Sequence, residues 1–432
     1  MLPKNELFCP SFEGGPGSNI VFFPCHMLSG DPRDSTPERE RSTELIFADR
    51  RARGLPVPAD PANPGCASWL DFELRPANWP EAPSTWFVFL IIPVGPRTFY
   101  AAINDGTAEK ASTAYTWVEA ALLAAIAYGK SRGWRITIGL GAATKNATGH
   151  GTLLVKRHPE VFNDVSITHG DAETTWFADQ LLRQAGPVPG FHAAIIGAGG
   201  AIGALAAQQM VRHRPGLIVL VGQPDAKDAP FDNCPKRQRL KAVRHLVMAE
   251  AVKIGYPLEV VISDDKSAAC RQYDVDVVVV ATNGTDMRLS PEEVRDHTKG
   301  RRKGVLGLDI TTPSAFIWRP EWDKHHVIVT AGCARLTMRH IPGGFDRWGH
   351  RQIGAGGQSF SSFWGCATGA GALSIFRPSG THCVGQEISL IQADECADNL
   401  RRLGVGPAHP HSFGRPVPMH RFCEFTRAVT SR

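Results

Sequence analysis

Between residues 187 and 330, short apolar runs alternate with helix-length segments, and this alternation limits what the chain can become. The runs fall at 192–196, 217–221, 258–262, 275–281, 305–309 and 327–330, with helical segments such as 202–213 and 240–254 between them. Runs this short, rich in Val, Ile and Leu and separated by helices, are strands of a parallel sheet, because helical crossovers cover both of its faces. The pattern predicts a doubly wound, Rossmann-type α/β domain.

The first strand leads into residues 197–203, GAGGAIG, which open the first helix. Gly197 permits a tight turn. Gly199 and Gly200 let backbone N–H groups approach a pyrophosphate. Gly203 lets the helix lie close to the strand. Ala201 and Ile202 begin a helix whose unsatisfied N–H groups and dipole favour phosphate. The expected ligand is a dinucleotide.

The end of the second strand bears on which one. An NAD site places an acid there for the ribose 2′-OH. Here the strand runs into Gly222, Gln223 and Pro224, with Asp225 next and Lys227, Lys236, Arg237 and Arg239 beyond. The missing acid and the basic residues favour NADPH, with Gln223 and Arg237 at the cofactor. Two alternatives stand beside this: Asp225 as a ribose ligand, and a solvated loop over 236–239. Thr282, after the fourth strand, and Asp309, at the end of the fifth, complete the expected cofactor set. The basic cluster 299–303 precedes the fifth strand, at the edge away from the ligand crevice, and reads as a solvated turn.

Upstream, 86–93 reads as a buried strand, 112–132 as a helix stopped by Gly133, 135–140 as a strand ending in the turn GLGAAT, and 174–184 as a helix. Residues 36–53 suggest a short helix in a proline-rich stretch. The expected organisation is 1–84 as a proline-rich extension, separate from or joined to the substrate domain; 85–186 as an α/β substrate-binding domain; 187–350 as the dinucleotide-binding domain; and 351–432 as a C-terminal helical segment, with helices over 361–376 and 389–403.

Composition narrows the classes. A formal net charge of +5 over 432 residues, with no long Lys/Arg run, argues against nucleic acid as a partner. The longest apolar stretch, 86–94, is too short to span a bilayer. No basic segment followed by an apolar core opens the chain, so the expected compartment is cytoplasmic. The 10 cysteines include no CxxC and no Cys/His spacing typical of zinc, so free thiols and no metal are expected.

Several segments taken in order resemble one family, the acyl-(acyl carrier protein) reductases of cyanobacteria. GAGGAIG resembles that family's G-A-T-G-D-I-G. The turn from Gly139 through Gly141 to Thr144 resembles its glycine-rich G-G-F-(S/T). Thr168, His169, Gly170 and Asp171, followed by Thr174 and Thr175, resemble its T-T-G-N-(T/S)-x-T. The segment 309–313 resembles D-G-G-Y-P, and 331–333 resembles G-G-I. Residues 363–370, FWGCATGA, resemble M-F-A-C-F-A-E-A, which holds the family's nucleophilic cysteine, and 388–390 with 411–413 resemble its closing motifs. The chain departs from the family at Gly369, where the family has an acid, and at Gln223, where it has Arg.

The resemblance implies an NADPH-dependent reductase that converts an acyl thioester, carried by acyl carrier protein or CoA, to an aldehyde through a cysteine acyl-enzyme. It implies Cys366 as the nucleophile, near a helix N-terminus that would favour thiolate. Read from the residues alone, Cys366 is a buried cysteine of an Ala/Gly helix, and Cys333 is its rival at the ligand edge. Gly141, Thr144 and Thr168 are candidate oxyanion or substrate contacts. His169, His340 and His350 are the histidines placed to face the crevice. Two other functions fit the residues: a non-covalent NAD(P)-dependent oxidoreductase of the shikimate dehydrogenase or ornithine cyclodeaminase type, and a non-catalytic NADPH-binding partner protein.

Overall fold

Residues 19–26, NIVFFPCH, are apolar on both faces of an extended chain, and they form the middle of a sheet. The computed structural model describes residues 14–26, 68–74, 85–92, 96–103, 105–106, 112–223, 234–282, 289–294, 304–311, 315–316, 322, 326–335, 338–339, 362–376, 380–412 and 415–431. The expected helix over 36–53 lies outside them. The strands β1 (Asn19–His26), β2 (Ser68–Leu74), β3 (Thr85–Ile92), β4 (Arg135–Gly139) and β5 (Ser166–Thr168) form a sheet ordered β2-β3-β1-β4-β5. β1 runs parallel to both neighbours, with Asn19 beside Thr85 on one side and Arg135 on the other. β2 is antiparallel to β3.

The period-two alternation sends Ile20 and Phe22 to one core, with Ile136 and Ile138, and Val21 and Phe23 to another, with Phe87 and Phe89. Residues 19–26 and 68–74 are therefore part of the α/β unit and not an extension that precedes it. Five helices follow in this half: α1 (Pro96–Ile103), α2 (Thr113–Ser131), α3 (Ala142–Ala147), α4 (Thr152–Arg157) and α5 (Asp171–Ala185). The Ser112 hydroxyl caps α2 by accepting the Tyr115 N–H at 3.1 Å, and Gly133, at φ +70°, turns the chain out of it.

The second sheet matches the alternating pattern in sequence. Its elements are β6 (His192–Ile196), α6 (Ala201–Met210), β7 (Leu217–Val221), α7 (Pro235–Lys253), β8 (Glu259–Ser263), α8 (Lys266–Gln272), β9 (Val277–Val280), α9 (Pro291–Val294), β10 (Leu306–Asp309) and β11 (Val327–Thr330). The strand order is β11-β10-β9-β6-β7-β8, all parallel. The strand order reverses between β6 and β9, which opens a crevice at the carboxyl ends of those strands, as in a doubly wound dinucleotide-binding fold.

The remaining chain is shared between the two sheets. It forms β12 (Cys333–Arg335), β13 (Met338–Arg339), β14 (Ser362–Trp364), α10 (Gly365–Phe376), α11 (Leu390–Arg402) and α12 (Met419–Thr430). β13 pairs antiparallel with β2. Phe363, Ala367 and Ala370 bury themselves against Val21, Phe23, Phe87 and Phe89 of the first sheet. Phe422 of α12 joins Ile195 and Leu306 in the core of the second. Residues 351–432 therefore do not make a separate helical unit. No helix among the described residues is long and apolar enough to cross a membrane.

Close packing of α6 on β6 depends on one glycine. A Cβ on Gly203 would lie 2.2 Å from the Gly197 carbonyl oxygen, whereas a Cβ on Gly199 meets nothing nearer than 3.9 Å. Gly203→Ala should therefore cost about 1–3 kcal/mol by forcing the helix from the strand. Gly199→Ala should stay within about 0.5 kcal/mol of wild type. Urea unfolding of both variants measures the difference.

Candidate functional site

The glycine turn has the geometry the sequence predicts. Gly197 is left-handed, at φ +83°, and a Cβ there would lie 2.6 Å from the Ala281 carbonyl oxygen and 3.0 Å from Thr282 Cβ. Gly200 caps α6 in an extended conformation, and no side chain caps that helix. The first N–H groups of α6 have no partner within the helix and point toward the crevice. Arg239 lies beside the turn, with its Cδ 3.9 Å from where a Gly199 Cβ would be. Its guanidinium hydrogen-bonds the side chain of Gln386 and, at 3.3 Å, the Gln386 carbonyl. Open space over Gly199 and Gly200, bounded by a helix N-terminus and a guanidinium, fits a pyrophosphate.

Gln223 and Thr282 sit at the carboxyl ends of β7 and β9, both partly exposed. Arg237 lies in the first turn of α7, where its N–H donates to Cys234 Sγ at 3.3 Å. Asp309 has a different task. One carboxylate oxygen accepts the N–H and hydroxyl of Thr311, and the other accepts the Ala315 N–H at 3.0 Å. Asp309 thus anchors the turn that follows β10 at the carboxyl edge of the sheet. Asp225, Lys227, His340, His350 and the cluster 299–303 lie outside the described residues.

A second group gathers at the carboxyl edge of the first sheet, where β4 and β5 run parallel and adjacent. α3 follows β4 and carries Lys145; α5 follows β5 and begins with Asp171. The Lys145 Nζ lies 2.9 Å from each Asp171 carboxylate oxygen, and both side chains are buried. Burial pushes the Asp171 carboxyl up, but Lys145 and then His169 outweigh it and hold the group far below the ordinary carboxylate range. His169 is fully buried. Its Nδ1 accepts the Asp171 N–H at 3.3 Å, which leaves Nε2 to donate to the Gly385 carbonyl at 2.9 Å. That pairing braces His169 against Asp171, whose Oδ2 lies 3.5 Å from the same Nδ1. The His150 ring stands edge-on to His169, 5.6 Å between centroids. Burial, and then Lys145, lower His150 to about 4.

Cys366 is the second residue of α10, at a helix N-terminus as expected. Its Sγ lies 3.6 Å from where a Gly141 Cβ would be, and a Cβ on Gly170 would lie 2.3 Å from the Cys366 Cα. The Gly365 N–H donates to the Gly332 carbonyl at 2.9 Å, which ties α10 to the chain leaving β11. Cys366 therefore lies where the two sheets' carboxyl edges meet, partly exposed. Its thiol is pushed up to about 12, by burial first and by Asp171 next, against the smaller opposing pull of Lys145 and the helix amides. The expected activation by the helix N-terminus is outweighed by desolvation. Cys333 is buried beside it and is also pushed up to about 12 by burial.

The expected oxyanion contacts are otherwise engaged. The Thr144 hydroxyl accepts the Gly141 N–H at 3.3 Å and lies 2.9 Å from the Gly141 carbonyl and 3.2 Å from the Pro24 carbonyl, to which it donates. The Thr168 hydroxyl accepts the Gly170 N–H at 3.1 Å. Gly139 is required for packing, since a Cβ there would lie 2.6 Å from the Phe23 ring and 2.8 Å from Ala370 Cβ. A sequence reading passes over Lys145 although a signal exists: two successive strands each end in a turn, and the helices that follow carry a lysine and an acid.

No protein-family model matches the chain, and no curated protein matches it. Among solved structures, it is similar to a quinate dehydrogenase from Corynebacterium glutamicum in complex with NAD, with 13% identity over 68% of this chain and 81% of that one and a TM-score of 0.30. It is similar to a probable ornithine cyclodeaminase from Bordetella pertussis Tohama I, with 16% identity and a TM-score of 0.18. There the match covers 37% of this chain, which spans only 37% of that protein. An aspartate transcarbamoylase from Trypanosoma cruzi matches with 10% identity over 72% of this chain and 77% of its own, at a TM-score of 0.32. Likenesses this slight say nothing about what the chain acts on.

Two measurements follow from this geometry. Lys145→Met or Asp171→Leu alone strands a buried charge and should cost about 3–5 kcal/mol. The double substitution should cost clearly less than the sum, as a double-mutant cycle on urea unfolding would record. His150 has a folded pKa, about 4, below its ordinary 6.5. The unfolded chain thus takes up a proton that the native one refuses, and stability falls as pH drops from 6.5 toward 4. His150→Asn, suited to the left-handed φ of +57°, should flatten that decline in urea midpoints taken across this range.

Proposed function

We propose that the chain is an NAD(P)-dependent oxidoreductase in which Lys145, oriented by Asp171, handles the proton of a carbonyl or alcohol oxygen. The observation that carries this reading is the buried Lys145–Asp171 pair at the carboxyl edge of the first sheet. An ion pair taken out of water gives little net stability, so its retention here points to chemistry. The dinucleotide, bound over Gly197, Gly199, Gly200 and Gly203, would supply or accept the hydride at carbon. Lys145 donates a proton from Nζ to the carbonyl oxygen as that oxygen gains charge, and in the reverse direction takes one from the hydroxyl. Asp171 keeps the ammonium aimed, His169 keeps Asp171 in place, and solvent restores the proton. NADPH is the expected form, because Gly222 and Gln223 offer no carboxylate to a 2′-OH while Arg237 and Arg239 stand on α7 beside the turn.

A second reading rests on Cys366, which shares this corner with Lys145 and Asp171. As an acyl-thioester reductase, the protein would use Sγ to attack the thioester carbonyl, the carbon–sulfur bond to acyl carrier protein or CoA would break, and the Cys366 proton would leave with the carrier thiol. Hydride addition to the acyl-enzyme and collapse to aldehyde would release Sγ. One departure from the reductase pattern has a counterpart in space. A Cβ on Gly369 would lie 2.5–2.8 Å from the Glu173 carboxylate, so an acid from α5 stands beside the position where the family carries one in sequence.

Lys145→Met and Cys366→Ala separate the readings, with NADPH binding measured alongside on both. Against a panel of carbonyl compounds, Lys145→Met should lower turnover about 10²–10⁴-fold, while Cys366→Ala should keep it within a few-fold. Loss of thioester reduction and of an acyl adduct by intact mass in Cys366→Ala, with Lys145→Met still acylated, would instead establish the covalent route. NADH bound as tightly as NADPH would overturn the cofactor preference.

A further inference from the structure

Beside the first turn of α5, three buried donors converge that neither reading of the reaction uses, His382, Cys383 and Cys396, with Glu173 next to them. His382 and Cys383 lie on a segment that runs alongside β5, held by the His382 N–H to the Ile167 carbonyl at 2.9 Å and by the His169 N–H to the Cys383 carbonyl at 3.3 Å. Cys396 projects from α11, and Glu173 from the first turn of α5. The His382 Nε2 is 2.9 Å from Cys396 Sγ, and Cys383 Sγ is 3.8 Å from Cys396 Sγ. The Glu173 carboxylate lies beside Cys396, outside the His382, Cys383 and Cys396 group whose ligand atoms lie within 4.8 Å of one another. All four side chains are at least nine-tenths buried, and the second oxygen of Glu173, Oε2, has no hydrogen-bond partner.

We propose that His382, Cys383 and Cys396, whose ligand atoms lie within 4.8 Å of one another, bind a structural zinc ion, and that the Glu173 carboxylate swings onto it as the fourth ligand. A tetrahedral ion with zinc–sulfur bonds of about 2.3 Å sets two thiolates about 3.8 Å apart, which is the spacing of Cys383 and Cys396. Thiolate and imidazole donors select zinc over magnesium or calcium. A site with four protein ligands and no access to water is of the structural kind. The ion gives the stranded Glu173 oxygen a partner, which a buried carboxylate otherwise lacks at real cost. Cys383 stands at φ +49°, a left-handed conformation that a non-glycine residue keeps only when its surroundings impose it, and it places the thiol in the cluster.

The ligands come from residue 173 and from 382–396, so no Cys/His spacing along the chain announces them. Zinc there would bind three segments in a small core that holds Ala172, Ala201 and Ile388, between the N-termini of α5 and α6. The same segment supplies the Gly385 carbonyl to His169 and Gln386 to Arg239. The ion would thus fix the backing of both the ion pair and the glycine turn, whichever reaction the site performs.

The test uses the tag-free full chain, purified under reducing conditions without chelator after growth with added zinc. Elemental analysis should find about one zinc per chain. Replacement by cobalt should give a thiolate-to-cobalt charge-transfer band in the near ultraviolet and strong visible bands of tetrahedral cobalt. Cys396→Ser should lose the metal. Glu173→Gln should bind it at least ~10-fold more weakly, since even an outer-shell partner is worth that much. Cys423→Ser, on the remote helix α12, should keep it. Zinc-free protein whose cobalt form lacks the charge-transfer band overturns the proposal even if the variants do not fold. So does a Cys383–Cys396 disulfide in the native chain, seen as a two-hydrogen mass loss with two thiols missing.

Discussion

Helix α5 belongs to several cores at once, and the rest of the structure is arranged around that fact. Ala178, Leu181, Leu182 and Ala185 face the core of the second sheet, Trp176 and Phe177 face the aromatic cluster beneath the first, and Ala172 faces the small core that contains Cys383 and Cys396. A helix that buries apolar side chains on several faces is stable only when other elements cover each of them. Each fully buried large side chain contributes about 1.5–3 kcal/mol of transfer free energy, and here that gain is available only if both sheets and the 380–396 segment close on one helix. The first turn of α5 is thereby held still, with Asp171 and Glu173 placed by packing on every side.

Small residues make that closure possible. Gly170 and Gly365 let the N-termini of α5 and α10 pass at backbone contact, and Gly332 accepts the first amide of α10 while its own Cβ position is filled by Thr174. Gly369 leaves room for the Glu173 carboxylate. These glycines are spread over the chain, yet they line one contact. The charged groups at this contact are expensive to bury: Asp171 is matched by Lys145 and supported by His169, whereas the Glu173 Oε2 has no hydrogen-bond partner. Interiors this polar serve stability poorly and suit chemistry.

The two sheets meet at their carboxyl edges, and everything that can do chemistry lies there. Parallel strands send their following loops to one edge, so the glycine turn after β6, the lysine-bearing helix after β4 and the acid after β5 are brought together by topology, although as many as 58 residues separate Lys145 from Gly203. Arg239 connects the groups by reaching Gln386, in the segment that also supports His169. Cys366 enters the same corner from the far end of the chain, and its thiol is kept protonated by the burial that fits it there.

Local pattern was enough for the second sheet. Strands buried on both faces leave uninterrupted Val/Ile/Leu runs and a glycine turn has its own spacing, so all six strands and the role of Gly203 could be read from residues close together in the chain. β1 could not be recognised in the same way, because its apolar run stands next to a long proline-rich stretch and its partners, β3 and β4, come 66 and 116 residues later by the register of Asn19. The candidate site was legible in part: the turn after β4, the segment after β5 and Cys366 stand out as motifs, but neither the Lys145–Asp171 pairing nor the local hydrogen bonds of Thr144 and Asp309 do. Pairing, desolvation and ligand geometry are properties of side chains brought together from distant positions. The sequence by itself determined where the strands of the second sheet lie and which turn offers helix N–H groups; only the tertiary structure decided which strands pair and which charges share a cavity, and that follows from the packing of α5.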